Sequence, residues 1–370
     1  MCEDALDEFD YIQKIILEDT LNLSLSPEAW KQATLPVKNG GLGIRKASDL
    51  ALPAFFSSLH ASSVVANQIL PGDNHLITDM SPEAATTWQR LAGLVEVPEE
   101  PTKQKSWDKP IVERAYQSLK EGSINTAGLA RITAVTGPCA GAWLEATPST
   151  NLGTKLDDEA VRIAASLRLG APICIPHTSQ CSKAVESNGL HGLDCGKGSG
   201  RFARHSELNT IIHRSLSSIN RPSILEPTGL TRTDGRRPDG MTLFPWHCGK
   251  PLVWDVTCVS TLASSNLNLS LSESGSAAEQ DKCQKYRDLD HDYKFVPLGF
   301  ETIGHWGPST IRFVGELGKL LTLATGEPRS TSFLRQRLSI AIQRGNAACI
   351  RGTVPQGEGL LELFNLPYGS

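Results

Sequence analysis

The sequence predicts an α+β protein. A helical N-terminal region leads into a small cysteine–histidine unit, then a mixed domain in the order helix, three strands, helix, strand, and finally C-terminal helices. Three observations predict this class. Helix-spaced apolar residues and helix-start signals dominate residues 1–168; Cys174, His177, Cys181, His191 and Cys195 crowd one short stretch; and two apolar strands, Arg237 to Phe244 and Pro251 to Cys258, each carry an aspartate. At 370 residues, with 39% hydrophobic and 21% charged residues, the chain is long enough for two or three domains with separate cores.

Asp4 to Thr20 places Phe9, Ile12, Ile15 and Ile16 at helical spacing. Ser26-Pro27-Glu28 and Ser81-Pro82-Glu83 each pair an N-cap with proline at the first helical position. Leu35-Pro36 and the glycine-rich run 39–44 form a connector before a helix from Asp49 to Leu70, whose Phe55, Phe56, Leu59 and Val65 point to burial. Val97-Pro98-Glu99-Glu100-Pro101 marks an exposed loop. No run of eighteen apolar residues occurs and the first residues are acidic, so neither a membrane span nor a secretory signal is expected, and an intracellular location is.

Nine cysteines, an odd number, fit thiols or metal ligands better than a disulfide framework. Cys174-x6-Cys181-x9-His191-x3-Cys195 supplies the four soft ligands of a closed tetrahedral zinc site, and Zn2+ is the expected ion. The first spacing is wide, so His177-x3-Cys181 is an alternative opening pair with Cys174 outside the site. Gly196-Lys197-Gly198-Ser199-Gly200 lacks the preceding strand and the lysine-serine ending of a nucleotide loop and reads as a hinge.

From Arg201 onward the pattern is mixed. Arg204 to Ile219 is amphipathic through Leu208, Ile211, Ile212 and Leu216; Ser223 to Glu226 is a short strand; the aspartate-bearing pair follows; and a serine-rich loop from Ser264 to Ser276 precedes a helix from Ala277 to Leu289 and a strand from Tyr293 to Ile303. Helices near Ser309 to Thr325 and Ser332 to Cys349 close the chain, covering the sheet or extending a basic surface. The domains expected are 1–168, 169–200, 201–305 and 306–370. Asp239, after Pro238, and Asp255, in the run Leu252 to Thr257, fall on neighbouring strands, where a shared cation relieves their repulsion. The net charge of -4 gives no general support for a polyanion partner. Between residues 195 and 257, however, Lys197, Arg201, Arg204, Arg214, Arg221, Arg232, Arg236, Arg237 and Lys250 outnumber the acids. Cations holding a phosphate backbone around acids holding Mg2+ or Mn2+ would suit a phosphodiesterase.

This succession resembles the PD-(D/E)XK restriction-like endonuclease fold, with one departure: the lysine that follows the second acid by two positions in that family is Thr257 here. Lys282 or Lys285, on the next helix, is the expected replacement, and Glu207 and Glu226 are candidates for a third oxygen ligand. Arg201, Arg204, His205, Arg236 and Arg237 are the expected nucleic-acid contacts. The whole set, Cys181, His191 and Cys195, then Gly200 to His205, Arg237-Pro238-Asp239, Asp255 and Lys282-x2-Lys285-Tyr286, is similar to the C-terminal end of site-specific non-LTR retrotransposon proteins over about residues 174–303. Residues 35–55 look like the segment that follows the polymerase in such proteins, making 1–168 a post-polymerase linker. The resemblance implies a nuclear endonuclease that nicks target DNA for reverse transcription, with DNA and element RNA as partners, carried on a truncated copy or the tail of a longer product. The competing expectation is a nucleic-acid-binding remnant that cuts nothing, which Thr257 favours.

Overall fold

The computed structural model describes residues 3–69, 82–123, 125–198, 200–231, 235–263, 274–289 and 291–354. Ser81, Arg232 and most of the serine-rich loop 264–276 lie outside the described residues. The chain is a mixed α+β protein of two compact units. One comprises residues 1–20 and 25–123 and the other residues 21–24 and 124–370. No described helix is long and apolar enough to cross a membrane.

The first unit is helical: α1 (Glu3–Leu21), α2 (Pro27–Ala33), α3 (Ala47–Ile69), α4 (Pro82–Ala92) and α5 (Gln104–Glu121). Ser26 caps α2 by accepting the Ala29 N–H at 3.2 Å, and Pro27 stands at the first helical position, as the sequence suggested. The core is Leu52 and Phe56 of α3 with Trp88, Trp107 and Ile111. Burial within α3 is narrower than expected, because Phe56 faces this core while Phe55 and Val65 are about half exposed. Phe9, Ile12, Ile15 and Ile16 of α1 also remain largely exposed.

The second unit begins earlier than residue 169. Helices α6 (Thr126–Val135) and α7 (Asp158–Leu169) belong to it, capped by Asn125 and Asp157, each of which accepts a main-chain N–H at 2.8 Å. The cysteine–histidine stretch is a two-stranded hairpin, β1 (His177–Thr178) and β2 (Ala184–Val185), followed by α8 (Leu190–Asp194). It is not an independent domain. Ile173, Cys174, Val185 and Leu193 share a core with Ile163 and Leu167 of α7 and with Cys349 and Ile350 of the last helix. So short a segment has too little apolar surface for a core of its own and must borrow one.

Next come α9 (Gly200–Ser218), β3 (Ser223–Leu225), β4 (Gly240–His247), β5 (Lys250–Val259), α10 (Ser274–Lys285), β6 (Lys294–Glu301), α11 (Pro308–Thr325) and α12 (Ser330–Arg351). The sheet order is β3-β4-β5-β6, antiparallel except for the parallel β5–β6 pair. Cys248 (φ 49°) and Gly249 (φ 76°) form the tight β4–β5 turn; left-handed conformation at both central residues suits the twist of the flanking strands. Parallel β5 and β6 require a long crossover, and α10 lies within it.

Alternation along β5 sends its residues to two different layers. Leu252, Trp254 and Val256 pack against Leu208, Ile212 and Leu216 of α9, Phe313 and Leu317 of α11 and Leu338 of α12, whereas Val253 packs against Tyr286 and Phe295. Each fully buried Leu or Ile contributes about 1.5–3 kcal/mol, so this layered core holds the sheet. The closing helices are therefore integral to the core and not an extension. Nor is Gly200 free to act as a hinge: a Cβ there would lie 2.6 Å from the Cys349 main-chain nitrogen, so only glycine lets α9 and α12 approach this closely.

Candidate functional site

The sheet register brings the two aspartates together. Gly240 pairs with Trp254, so Asp239, one residue before the ladder, stands beside Asp255. The Asp239 N–H donates to the Trp254 carbonyl at 3.0 Å, and its Oδ2 accepts the Val256 N–H at 2.6 Å, tying the residue to both neighbours of Asp255. Gly240 is required for this register: a Cβ would fall 2.0 Å from the Trp254 ring. The indole of Trp254 donates in turn to Asn209 Oδ1 of α9 at 2.9 Å.

Each carboxylate already faces a basic side chain. His205 Nε2 of α9 lies 2.9 Å from Asp239 Oδ2. Burial pushes the Asp239 carboxyl upward, but the hydrogen bond and charge of His205, the Val256 N–H and Asn209 outweigh it and hold the group below the usual carboxylate range. The hydrogen bond to Asp239 raises His205 against the opposing effect of burial, and the fields of Asp239 and Asp255 add to the rise. Asp255, with a side chain only 3% exposed, pairs with Lys282 of α10 through Oδ1, and Lys285 Nζ is 3.9 Å from Oδ2. The Lys285 ammonium also sits 4.4 Å from the centre of the Tyr286 ring, and Tyr286 donates its hydroxyl to the Arg237 carbonyl at 2.9 Å. Both lysines thus point at the second acid, although Thr257 occupies the position where the family pattern has its own. A cleft of 520 Å³ beside this cluster is lined by Arg201, Phe202, His205, Thr257 and Lys282, with Glu226 and Gly196 at its edge.

Of the other expected site residues, Arg201, Arg204 and Glu226 line the cleft and the rest lie outside it. Glu207 is exposed; on a helix of 3.6 residues per turn it is rotated about 200° from His205, away from the aspartates. Glu226, in left-handed conformation at φ 50°, borders the cleft with its carboxylate engaged by Arg237. Arg237 is thereby paired within the protein, and Arg236 is exposed on the same loop. Arg201 is exposed at the start of α9, its guanidinium 3.4 Å from the Asp194 carbonyl. Arg204, expected to hold phosphate, is instead 2% exposed and donates to Asn346 Oδ1 of α12 at 2.7 Å, while Asn346 donates to the Thr302 carbonyl at 2.6 Å. Its work is to join helix to helix. Arg204→Ala is expected to lower stability by about 1.5–3 kcal/mol, the loss of a charged hydrogen bond, and to leave the salt dependence of DNA binding unchanged. Urea melts and binding titrations at several salt concentrations check both outcomes.

The second cluster is built on the β1–β2 hairpin and α8. Cys181 Sγ, His191 Nε2 and Cys195 Sγ all lie within 4.8 Å of one another, the first two 3.1 Å apart. Cys174 is not in this group. Its thiol is buried in the α7–α12 core 3.6 Å from the Glu186 carbonyl, and burial pushes it up to about 11, the opposite of what a thiolate ligand needs. The alternative, His177, is also spent: Nε2 bonds Thr353 Oγ1 at 3.0 Å and Nδ1 faces the Ile175 carbonyl at 2.9 Å. Ser179, Asn209 and Trp254 are the residues sequence reasoning passed over. Asn209 was detectable as the residue one helical turn beyond His205 on the same face, and Ser179 as the polar residue two before Cys181.

Neither a scan of protein-family models nor a search of curated proteins matches this chain.

Proposed function

We propose that this chain is a divalent-metal-dependent DNA endonuclease. The observation that carries the reading is Asp239 standing beside Asp255 across the β4–β5 ladder, with two lysines of α10 converging on Asp255 and one of them, Lys282, lining the neighbouring cleft. The order α9, β3, β4, β5, α10, β6 supports a restriction-like architecture for this region. Asp239 and Asp255 would hold Mg2+ or Mn2+; adjacent hard carboxylate oxygens suit such ions. The ion, when bound, would acidify water and offset charge on the phosphate. Lys282 donates to the same charge from the cleft wall, and Lys285 holds Asp255 in place. Arg201 at the rim binds the backbone of the polyanion. The biological setting we propose, nicking of target DNA by a non-LTR retrotransposon protein in the nucleus, rests on the sequence resemblance over residues 174–303. The purified protein is expected to nick supercoiled plasmid in Mg2+ and to stop when the ion is chelated; nicking indifferent to chelation would exclude the reading. A catalytically inactive nucleic-acid-binding remnant is the second reading, favoured by Thr257 and by acids that are already engaged by His205, Lys282 and Lys285.

The His205–Asp239 pair gives a pH signature of its own. Because His205 is raised, its contribution to stability is complete below its unfolded pKa of about 6.5 and is lost as pH climbs through the folded value. Because Asp239 is depressed, its share is present above about 3.9 and is lost as pH falls through the folded value. An NMR titration is expected to place His205 above 6.5 and to return it toward that value in Asp239→Asn or on addition of Mg2+. A His205 that titrates ordinarily in the wild-type protein would refute the pairing.

A further inference from the structure

We propose that Ser179 fills the fourth corner of the Cys181–His191–Cys195 site, so that zinc is held there by two thiolates, one imidazole and a serine hydroxyl. The inference rests on the reading of this cluster as a zinc site and adds the identity of its last ligand. Ser179 Oγ lies 2.8 Å from Cys181 Sγ and 3.4 Å from His191 Nε2, so it touches two members of the group at once. In a tetrahedral zinc site with bonds of 2.0–2.3 Å, ligand atoms stand about 3.3–3.8 Å apart; the Ser179–His191 spacing already fits, and the Ser179–Cys181 and Cys181–His191 spacings would open by about 0.4–0.7 Å to admit the ion.

The backbone delivers the hydroxyl. The Ser179 N–H donates to the Lys183 carbonyl and the Ser182 N–H to the Ser179 carbonyl, both at 2.8 Å, and Ser182 takes the left-handed conformation at φ 67° that closes the turn. Cys181 and Ser179 are thereby presented together at the hairpin tip. Ser179 is 5% exposed, so the corner it occupies is filled by protein and not left open to solvent. Both other soft candidates nearby, Cys174 and His177, are engaged elsewhere.

A neutral hydroxyl is a much poorer zinc donor than a thiolate. The site is therefore expected to bind zinc, but more weakly and exchangeably than a site with three cysteines and a histidine. The position matters for the rest of the fold, since Cys195 is followed directly by Gly196 at the cleft edge and by the start of α9 with Arg201 and Phe202.

The test is zinc competition against a chromophoric chelator, with cobalt absorption on the same full-length proteins. The wild-type chain should bind one zinc. Ser179→Cys should bind it at least about 10²-fold more tightly and add a third thiolate-to-cobalt transition, and Ser179→Ala should bind about 10-fold more weakly, within the range seen when a metal-site partner is lost. Affinities and cobalt spectra unchanged in both variants would overturn the role of Ser179 while leaving the zinc reading intact. Absence of zinc from the wild-type protein and both variants would overturn the zinc reading itself. Should Ser179→Cys fail to fold, the Ser179→Ala affinity decides alone: an unchanged value rejects the proposal.

Discussion

Asp239→Asn and Asp255→Asn are each expected to reduce plasmid nicking by more than about 10³-fold, a larger effect than losing one charge-stabilising donor. The two substitutions differ in what else they disturb. Asparagine at 239 keeps an oxygen for the Val256 N–H and removes the charge that faces His205, so the ladder survives and the change is chiefly electrostatic. Asparagine at 255 strips the counter-charge from Lys282 and Lys285, whose side chains are only 22% and 23% exposed. Lys282 then loses the carboxylate it pairs with in a half-buried position, so Asp255→Asn should also lower the urea midpoint, by the equivalent of about 1–3 kcal/mol. Lys282→Ala is expected to fall between these variants and the wild type in rate, on the order of 10²–10³ down. DNA binding should persist in all three, because Arg201 and the remaining basic residues are untouched. Nicking by Asp239→Asn at the wild-type rate would remove that residue from the chemistry.

Gly240→Ala is the substitution expected to harm the fold most per atom added. Its Cβ would lie 2.0 Å from an indole carbon of Trp254, itself fully buried among α9, β6 and α11 and hydrogen-bonded to Asn209. The ring cannot swing away without vacating the core and breaking that bond. Overpacking of this kind costs about 1–3 kcal/mol, and the lost indole–amide hydrogen bond adds about 1 kcal/mol. The measurable outcome is a lowered urea midpoint together with a red-shifted tryptophan emission. A variant as stable as the wild type would mean that β4 and β5 pair in a different register, and with it Asp239 would lose its place beside Asp255.

The strands around both aspartates were legible in the sequence because apolar strand patterning is a local signal, although β4 starts and ends three residues later than expected. The approach of Lys282 and Lys285 to Asp255 was legible too: they are three apart and so share a helix face, on a helix that packs on β6 and β5. What misled was exposure. Arg204 reads as a phosphate ligand by type, but its burial depends on Gly345 and Asn346, more than 140 residues away, and no local pattern encodes that contact. Glu207 failed for a simpler reason, since helical phase already excludes it once His205 is known to face the acid. The cysteine–histidine stretch read as a domain of its own over 169–200, and only the fold reveals that α7 and α12 complete its core. Cys174 belongs to that shared core, and so its spacing looked like a ligand's while its surroundings are those of a packed thiol.

The most direct measurement is nicking of supercoiled plasmid by the wild-type protein and by the Asp239→Ala/Asp255→Ala double variant, over a Mg2+ titration, with circular dichroism confirming that both are folded. Mg2+-dependent conversion to open circles is expected of the wild type and none of the double variant. Equal nicking by the two proteins would contradict a catalytic role for the aspartates.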